Sequence, residues 1–508
     1  MIRRRTALVC AVLLFSGAAA AQPDRIVGRI NPARTTVLTG NVHINALPEF
    51  DEGPADPAMK LNYVMLTLKT SAAQQAELEQ LLRDQQDPFS PRFRKWLTPE
   101  QYADRFGASR ADMNKIVVWL GSQGLEVITA ARGRRWVAFN ATVQQIQSAF
   151  HTEIRRYRVD GELHFANATA PSIPEALRGM VLGIDGLNDF RARHMAVQPL
   201  LDRLHPATTS GSGSHSLSPG DAWIIYNTYP LYQTGITGAG QKIAIIDRSD
   251  VLLSDISQFR SAFNLPANTI QRVLVPGSTN PGITSDNAET NLDLDWAGAI
   301  APYAQLVYVF APSEVTAVNY AIDQNLAPVI SYSYYPCELN QSGSVAGNVQ
   351  AIAQQANAQG ITWIACSGDS GAESCDSNNY SGVAATHGLS VSLMAAIPEI
   401  TGVGGTTFNE GNGRYWGTSA NANAPTALGY IPEVAWTGSG GGYSIFYPKP
   451  DWQVGVPDTA QGPMRGVPDV SFNAIRATTV ISSSTTARRS RSAAPRWERR
   501  CLPEWSRC

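Results

Sequence analysis

Glu289 and Asp293 stand four residues apart in Ala288-Glu289-Thr290-Asn291-Leu292-Asp293-Leu294-Asp295-Trp296, ahead of the small, apolar end Ala299-Ile300-Ala301-Pro302. Residues at this spacing share one face of a helix, so the two carboxyls can touch. Carboxyls in contact do not both ionise easily, and one tends to keep its proton near neutral pH. Such a pair can act as a general base at acid pH, where a histidine would be protonated. The spacing by itself describes a solvated first helical turn equally well, since acids suit the positive end of a helix. A third carboxyl adds to the pair. Ser367-Gly368-Asp369-Ser370-Gly371 follows an apolar run and places Asp369 on a glycine-flanked turn. In its acid form Asp369 can donate a hydrogen bond to a developing oxyanion. The plain alternative is a turn that bonds its own backbone.

The histidines narrow the chemistry. Of the seven, His43, His151, His164, His194, His205 and His215 precede residue 217, and only His387 lies beyond it. Asp247 closes the apolar run 241–247, where a subtilisin-type triad would put its aspartate. His387, in Ala385-Thr386-His387-Gly388, has no triad-like or metal-ligand neighbours in the sequence. A hydrolase here therefore needs a carboxyl base.

The elements that must position these carboxyls are read from periodicity. Apolar runs at 241–247, 307–310, 329–333, 361–367 and 399–406 predict buried parallel strands, with helices at 313–324 and 346–359 between them. That alternation predicts an α/β, doubly wound parallel sheet with active groups at the carboxyl ends of the strands. Ahead of it, strand patterns at 65–68 and 136–139 and helical patterns at 73–83, 111–120 and 143–150 predict a smaller α+β or α/β unit. Thr208 to Ser214 has the composition of a flexible linker, the kind of segment proteases cut.

The 508 residues, 44% hydrophobic and 16% charged, describe a globular chain of two or more domains. A net charge of −2 gives no reason to expect nucleic acid or a membrane surface as partner. Arg3-Arg4-Arg5, the short apolar run 7–15 and the small residues 18–21 have the pattern of a secretory signal. The expected location is therefore extracellular, where a disulfide is permitted. Cys337 with Cys375 is the preferred pair, because Cys366 sits in the strand-like run after Ile361. No cysteine spacing matches a zinc site, and no metal ligands are assigned.

Several further segments carry a family resemblance: Ser90-Pro91-Arg92-Phe93-Arg94-Lys95-Trp96-Leu97-Thr98-Pro99, Ala149-Phe150-His151-Thr152, the Glu-x-x-x-Asp of 289–293, Ser367-Gly368-Asp369, Ser439-Gly440-Gly441-Gly442-Tyr443-Ser444, and Arg465-Gly466-Val467-Pro468-Asp469-Val470-Ser471. In this order, from about residue 45 to about 475, they resemble the sedolisins, the serine-carboxyl peptidases that include kumamolisin and tripeptidyl-peptidase I. The resemblance implies a subtilisin-like catalytic fold, with Asp247 a bystander. It implies Glu289 as the base acting on a serine, Asp293 as the acid that orients it, and Asp369 as the oxyanion-hole carboxyl. It also implies acid-triggered self-cleavage and a protein or peptide substrate. The organisation expected is a signal at 1–21, an activation propeptide at 22–193 acting as intramolecular inhibitor, a cleavable linker at 194–216, an incomplete peptidase domain at 217–475 and an atypical tail at 476–508. The secreted enzyme is expected to be a monomer. Ser331, Ser439, Gly440 and Gly441 are expected to line the substrate groove, because glycine-rich backbone lets an extended peptide approach closely.

The chain departs from the family at one decisive place. The nucleophile motif Gly-Thr-Ser-x-x-x-Pro is not found, and the position four before Pro495 is Arg491. The calcium expected for the family would be held by aspartates and carbonyls beyond that serine, as hard oxygen ligands suit it. No corresponding residues stand here. The alternative reading is a catalytically dead, truncated homologue that persists as a peptide-binding remnant.

Overall fold

The computed structural model describes residues 22–194, 217–372, 374–376, 387–418, 425–456 and 462–474. The signal pattern, the serine- and glycine-rich linker and the tail with Pro495 lie outside the described residues. Among the described residues no helix is long and apolar enough to cross a membrane.

Residues 22–194 hold a four-stranded antiparallel sheet in the order Glu126–Ala130, Trp136–Thr142, Lys60–Leu68, Val181–Asp185. Its two central strands are buried on both faces, and the period of two sorts their side chains. Val64, Leu66, Val137 and Phe139 pack under the unit's own helices, Arg110–Ser122 and Val143–Phe150. Tyr63, Met65, Trp136 and Ala138 point the other way and join the core of residues 217–474. Ser71, Thr98 and Thr142 each open a helix with a capping box completed by Gln74, Gln101 and Gln145. These caps satisfy amides that the first turn would otherwise leave unpaired.

Residues 217–474 are built on an eight-stranded sheet. Its order is Gln271–Leu274, Gln305–Phe310, Lys242–Asp247, Val329–Tyr332, Thr362–Cys366, Thr401–Phe408, Glu433–Ala435, and Val470–Asn473 also pairs with Thr401–Phe408. The pairings are parallel except that of Glu433–Ala435. The five strands expected from apolar runs are all present, as are the helices, at Glu314–Asp323 and Gly343–Ala358. The strand Gln271–Leu274 is not apolar enough to announce itself and pairs at the sheet edge. Cys337 and Cys375 form the expected disulfide, and Cys366 is a buried free thiol.

The two units meet over the outward faces of Glu314–Asp323 and Gly343–Ala358. Asp323 accepts the backbone N–H groups of Arg132 at 2.9 Å and Gly133 at 2.8 Å. Asn348 donates to Asp185 at 2.7 Å, Arg135 to the Ala351 carbonyl at 2.8 Å, and Gln85 and the Leu97 amide to the Ala358 carbonyl. Two of these contacts close the open end of the helix Gly343–Ala358, whose last carbonyls lack partners within the helix. Trp96 then lies over Gly360, which has φ +76°, and a Cβ built there would fall 2.5 Å from the indole Cγ. Glycine is required twice over, for the left-handed backbone and for the space. Gly360→Ala is expected to lower stability by about 1–3 kcal/mol and to raise amide exchange at residues 95–97. Denaturant unfolding and exchange mass spectrometry check both, and unchanged exchange there would mean that Trp96 does not depend on this contact.

Candidate active site

The carboxyls gather where the parallel strands end. The helix Asn287–Ile300 brings Glu289 and Asp293 to one side, and the turn after Thr362–Cys366 brings Asp369 to the other. Glu289 is 1% exposed, and neither of its carboxyl oxygens has a hydrogen-bond partner among the described residues. Burial, and then the neighbouring charges of Asp293, Asp369, Asp247 and Asp286, hold its pKa well above the usual carboxylate range. Asp293 is half-buried, and its Oδ1 accepts the Ser333 hydroxyl at 3.0 Å. Its Oδ2 is enclosed without a partner. Burial pushes Asp293 up to about 7, against the lowering effect of that hydroxyl. The helical spacing thus produces a pair whose protonated forms are favoured above the usual carboxylate range, and not a solvated first turn.

Asp247 is no bystander. It is fully buried, and its carboxyl accepts the hydroxyls of Thr290 and Tyr334 and the Arg248 backbone N–H at 2.6 Å. It therefore ties the residue after Glu289 to the strand Lys242–Asp247. Burial raises Asp247 to about 6, and its hydrogen bonds oppose that rise. Next to it Arg248 pairs with Asp286, the residue before the helix, and stacks 4.6 Å over the Tyr334 ring. No periodicity signals Arg248 or Ser333, because their roles arise where separate strands end. His387 also gains a neighbour that sequence alone does not pair with it: its Nδ1 lies 2.9 Å from Asp376 Oδ1. It stands on the segment next to the Cys337–Cys375 disulfide.

The residues expected to line a groove fall in two places. Ser331 is inside the sheet, in register with Ile245 and Ile364, and Ser333 is the hydroxyl that reaches Asp293. Ser439 accepts the Gly405 N–H at 2.8 Å, and the Gly440 N–H donates to the Gly368 carbonyl at 2.8 Å. A Cβ on Gly440 would lie 1.9 Å from the Ser367 carbonyl oxygen, so the glycine run packs directly on the turn that carries Asp369. Gly441 follows, half-buried. At the edge of the site Arg193–His194 pairs antiparallel with Tyr334–Tyr335. The chain leaving the first unit is therefore laid as an extended strand beside the carboxyls. Among the described residues no group of three or more His, Cys, Asp or Glu side chains is arranged to hold a metal ion.

Comparison with known proteins agrees with these two units. Residues 50–190 match the family described as the pro-kumamolisin activation domain. The chain is 28% identical to sedolisin of Pseudomonas sp. strain 101 over 446 residues, covering 82% of this chain and 70% of that protein. It is 27% identical to xanthomonalisin of Xanthomonas sp. strain T-22, covering 89% of this chain and 60% of that protein. It is 26% identical to kumamolisin of Bacillus sp. strain MN-32, covering 89% and 81%.

The buried pair predicts a pH signature. Asp293 binds its proton more tightly folded than unfolded, so its contribution to stability is full below about 3.8 and is lost as pH rises through about 7. Urea unfolding of the wild-type chain is expected to show falling stability across that window, and Glu289→Gln with Asp293→Asn is expected to flatten the fall. Parallel pH profiles for the two proteins would show that the pair ionises freely.

Proposed function

We propose that this chain, which belongs to the sedolisin family and carries its activation propeptide, hydrolyses peptide bonds at acid pH through carboxyl chemistry. The observation that carries the reading is the burial of Glu289 beside Asp293 and Asp369. At acid pH burial favours the protonated form of both carboxyls, and the working base is the fraction in which Glu289 has released its proton. Glu289, in its charged form, takes the proton of a serine nucleophile as that oxygen attacks the substrate carbonyl. Asp293 keeps its own proton and is held by the Ser333 hydroxyl beside Glu289. Asp369 in its acid form donates to the carbonyl oxygen as it becomes negative. The position of the serine is left unassigned.

The substrate class follows from backbone geometry. The pairing of Arg193–His194 with Tyr334–Tyr335 supports an extended peptide lying along the same edge. The glycine run 440–442 supports the opposite wall. On this reading residues 22–194 restrain the site until the linker is cut, and the enzyme acts outside the cell as a monomer. Calcium, as the resemblance implies it, has no ligands assigned in this chain.

The test is acid treatment of the purified full chain on a denatured protein substrate. Hydrolysis at about pH 3–5 is expected, with loss of at least ~100-fold in Glu289→Gln and a comparable loss in Asp369→Asn. A chain that binds denatured protein without cutting it, and that shows no self-cleavage between residues 194 and 216, would overturn the catalytic reading.

A further inference from the structure

The chain leaves its first unit through a stack of three rings. Phe190 lies between His43, with ring centroids 4.2 Å apart and planes 14° from parallel, and His164, at 4.5 Å and 29°. Just beyond it Arg193 begins the strand that pairs with Tyr335 at the edge of the site. The half-buried His43 accepts the Asn45 N–H on its Nδ1 at 3.2 Å. That bond assigns the neutral tautomer with its proton on Nε2.

The groups around the stack are unequal. His164, on the strand Glu162–Asn167, has its Nδ1 3.4 Å from Asp189 Oδ1 and its Nε2 3.9 Å from Glu162 Oε2. Across the strand pair it faces Tyr157. Asp189 accepts the Phe165 N–H at 2.7 Å, and its own N–H donates to the Phe165 carbonyl at 3.2 Å. The segment bearing Phe190 is therefore fastened to the first unit's sheet. Among the described residues no carboxylate pairs with His43.

We propose that His43, Phe190 and His164 form an acid-released latch that holds the exit of the propeptide, and with it the strand Arg193–His194, in place at neutral pH. His164 has Asp189 and Glu162 beside it. A proton arriving on His43 must go to Nδ1, where it removes the acceptor of the Asn45 N–H and sets two donors facing each other. A ring cation can sit over a phenyl face, but this one also faces His164 across Phe190. Burial and the facing His164 lower the pKa of His43 from 6.5 to about 4. His43 binds its proton less readily latched than free. The latch is therefore intact above about 6.5 and is lost as pH falls through about 4. Its place in regulation rests on the reading of residues 22–194 as the restraint on the proposed site.

Amide exchange of residues 187–194 in the full chain, corrected for the intrinsic pH dependence of exchange, tests the latch. A one-proton device opens up to about tenfold more per pH unit across the window. His43→Phe keeps a stacked ring without a proton site and is expected to abolish that slope, whatever its absolute protection. His43→Arg carries the charge already and is expected to expose the segment at pH 7. The Cε1–H resonance of His43 in the unmodified chain, expected to titrate near 4, gives a reading that no variant's folding can disturb. A slope unchanged in His43→Phe, or a His43 that titrates near 6.5, would overturn the latch. Exchange is read without peptide hydrolysis and is repeated in Glu289→Gln, so loss of the latch and loss of the catalytic reading give different results.

Discussion

An ionised carboxylate buried without a hydrogen bond is among the least favourable arrangements a protein can hold. Glu289 occupies such a place beside Asp293, with Asp369 and Asp247 adding to the same field. The surroundings make this tolerable by fixing everything around the pair. Asp247 ties the helix to the central strand through Thr290, Ser333 holds one oxygen of Asp293, and Arg248 compensates Asp286 at the start of the helix. A site of this kind sits at strand ends because there the chain turns, and side chains from a helix, a turn and the strand ends can converge.

The second constraint is that the two units share one core. Residues of the first unit's sheet, Tyr63, Met65, Trp136 and Ala138, lie in the same apolar cluster as Ala244, Ile330 and Trp363 of the second. Hydrogen bonds to Asp323, Ala351 and Ala358 fix the register of that contact. The first unit is thereby held against the helices behind the sheet, and its last strand delivers Arg193–His194 to the edge where the carboxyls lie. Packing behind the sheet and the pairing with Tyr334–Tyr335 are parts of one attachment.

Much of the architecture was legible from residue patterns. Apolar runs located the central strands because a strand buried on both faces carries few polar residues. The edge strand Gln271–Leu274 and the short strand Glu433–Ala435 escaped notice because an edge needs no such purity. Glu289, Asp293 and Asp369 stood out because their types and spacing have chemical meaning. Ser333 and Arg248 did not, since a lone serine or arginine after an apolar run is common. Ser331 belongs to the same short segment, but it lies within the paired strand Val329–Tyr332, whereas Ser333 stands just past its end. His387 seemed isolated because Asp376 stands eleven residues before it in the sequence.

What the sequence determined by itself was the inventory: a carboxyl pair at helical spacing, a third acid on a glycine turn, a lone histidine beyond residue 217 without triad-like sequence neighbours, and strands enough for a parallel sheet. Tertiary structure alone decided that Glu289 is buried beside a half-buried Asp293, that Asp247 supports their helix, and that His43 and His164 clasp Phe190. The physical reason is that spacing along a chain sets which groups share a face. Desolvation and cross-strand contact, which turn shared faces into shifted protons, depend on what other parts of the chain bring to cover them.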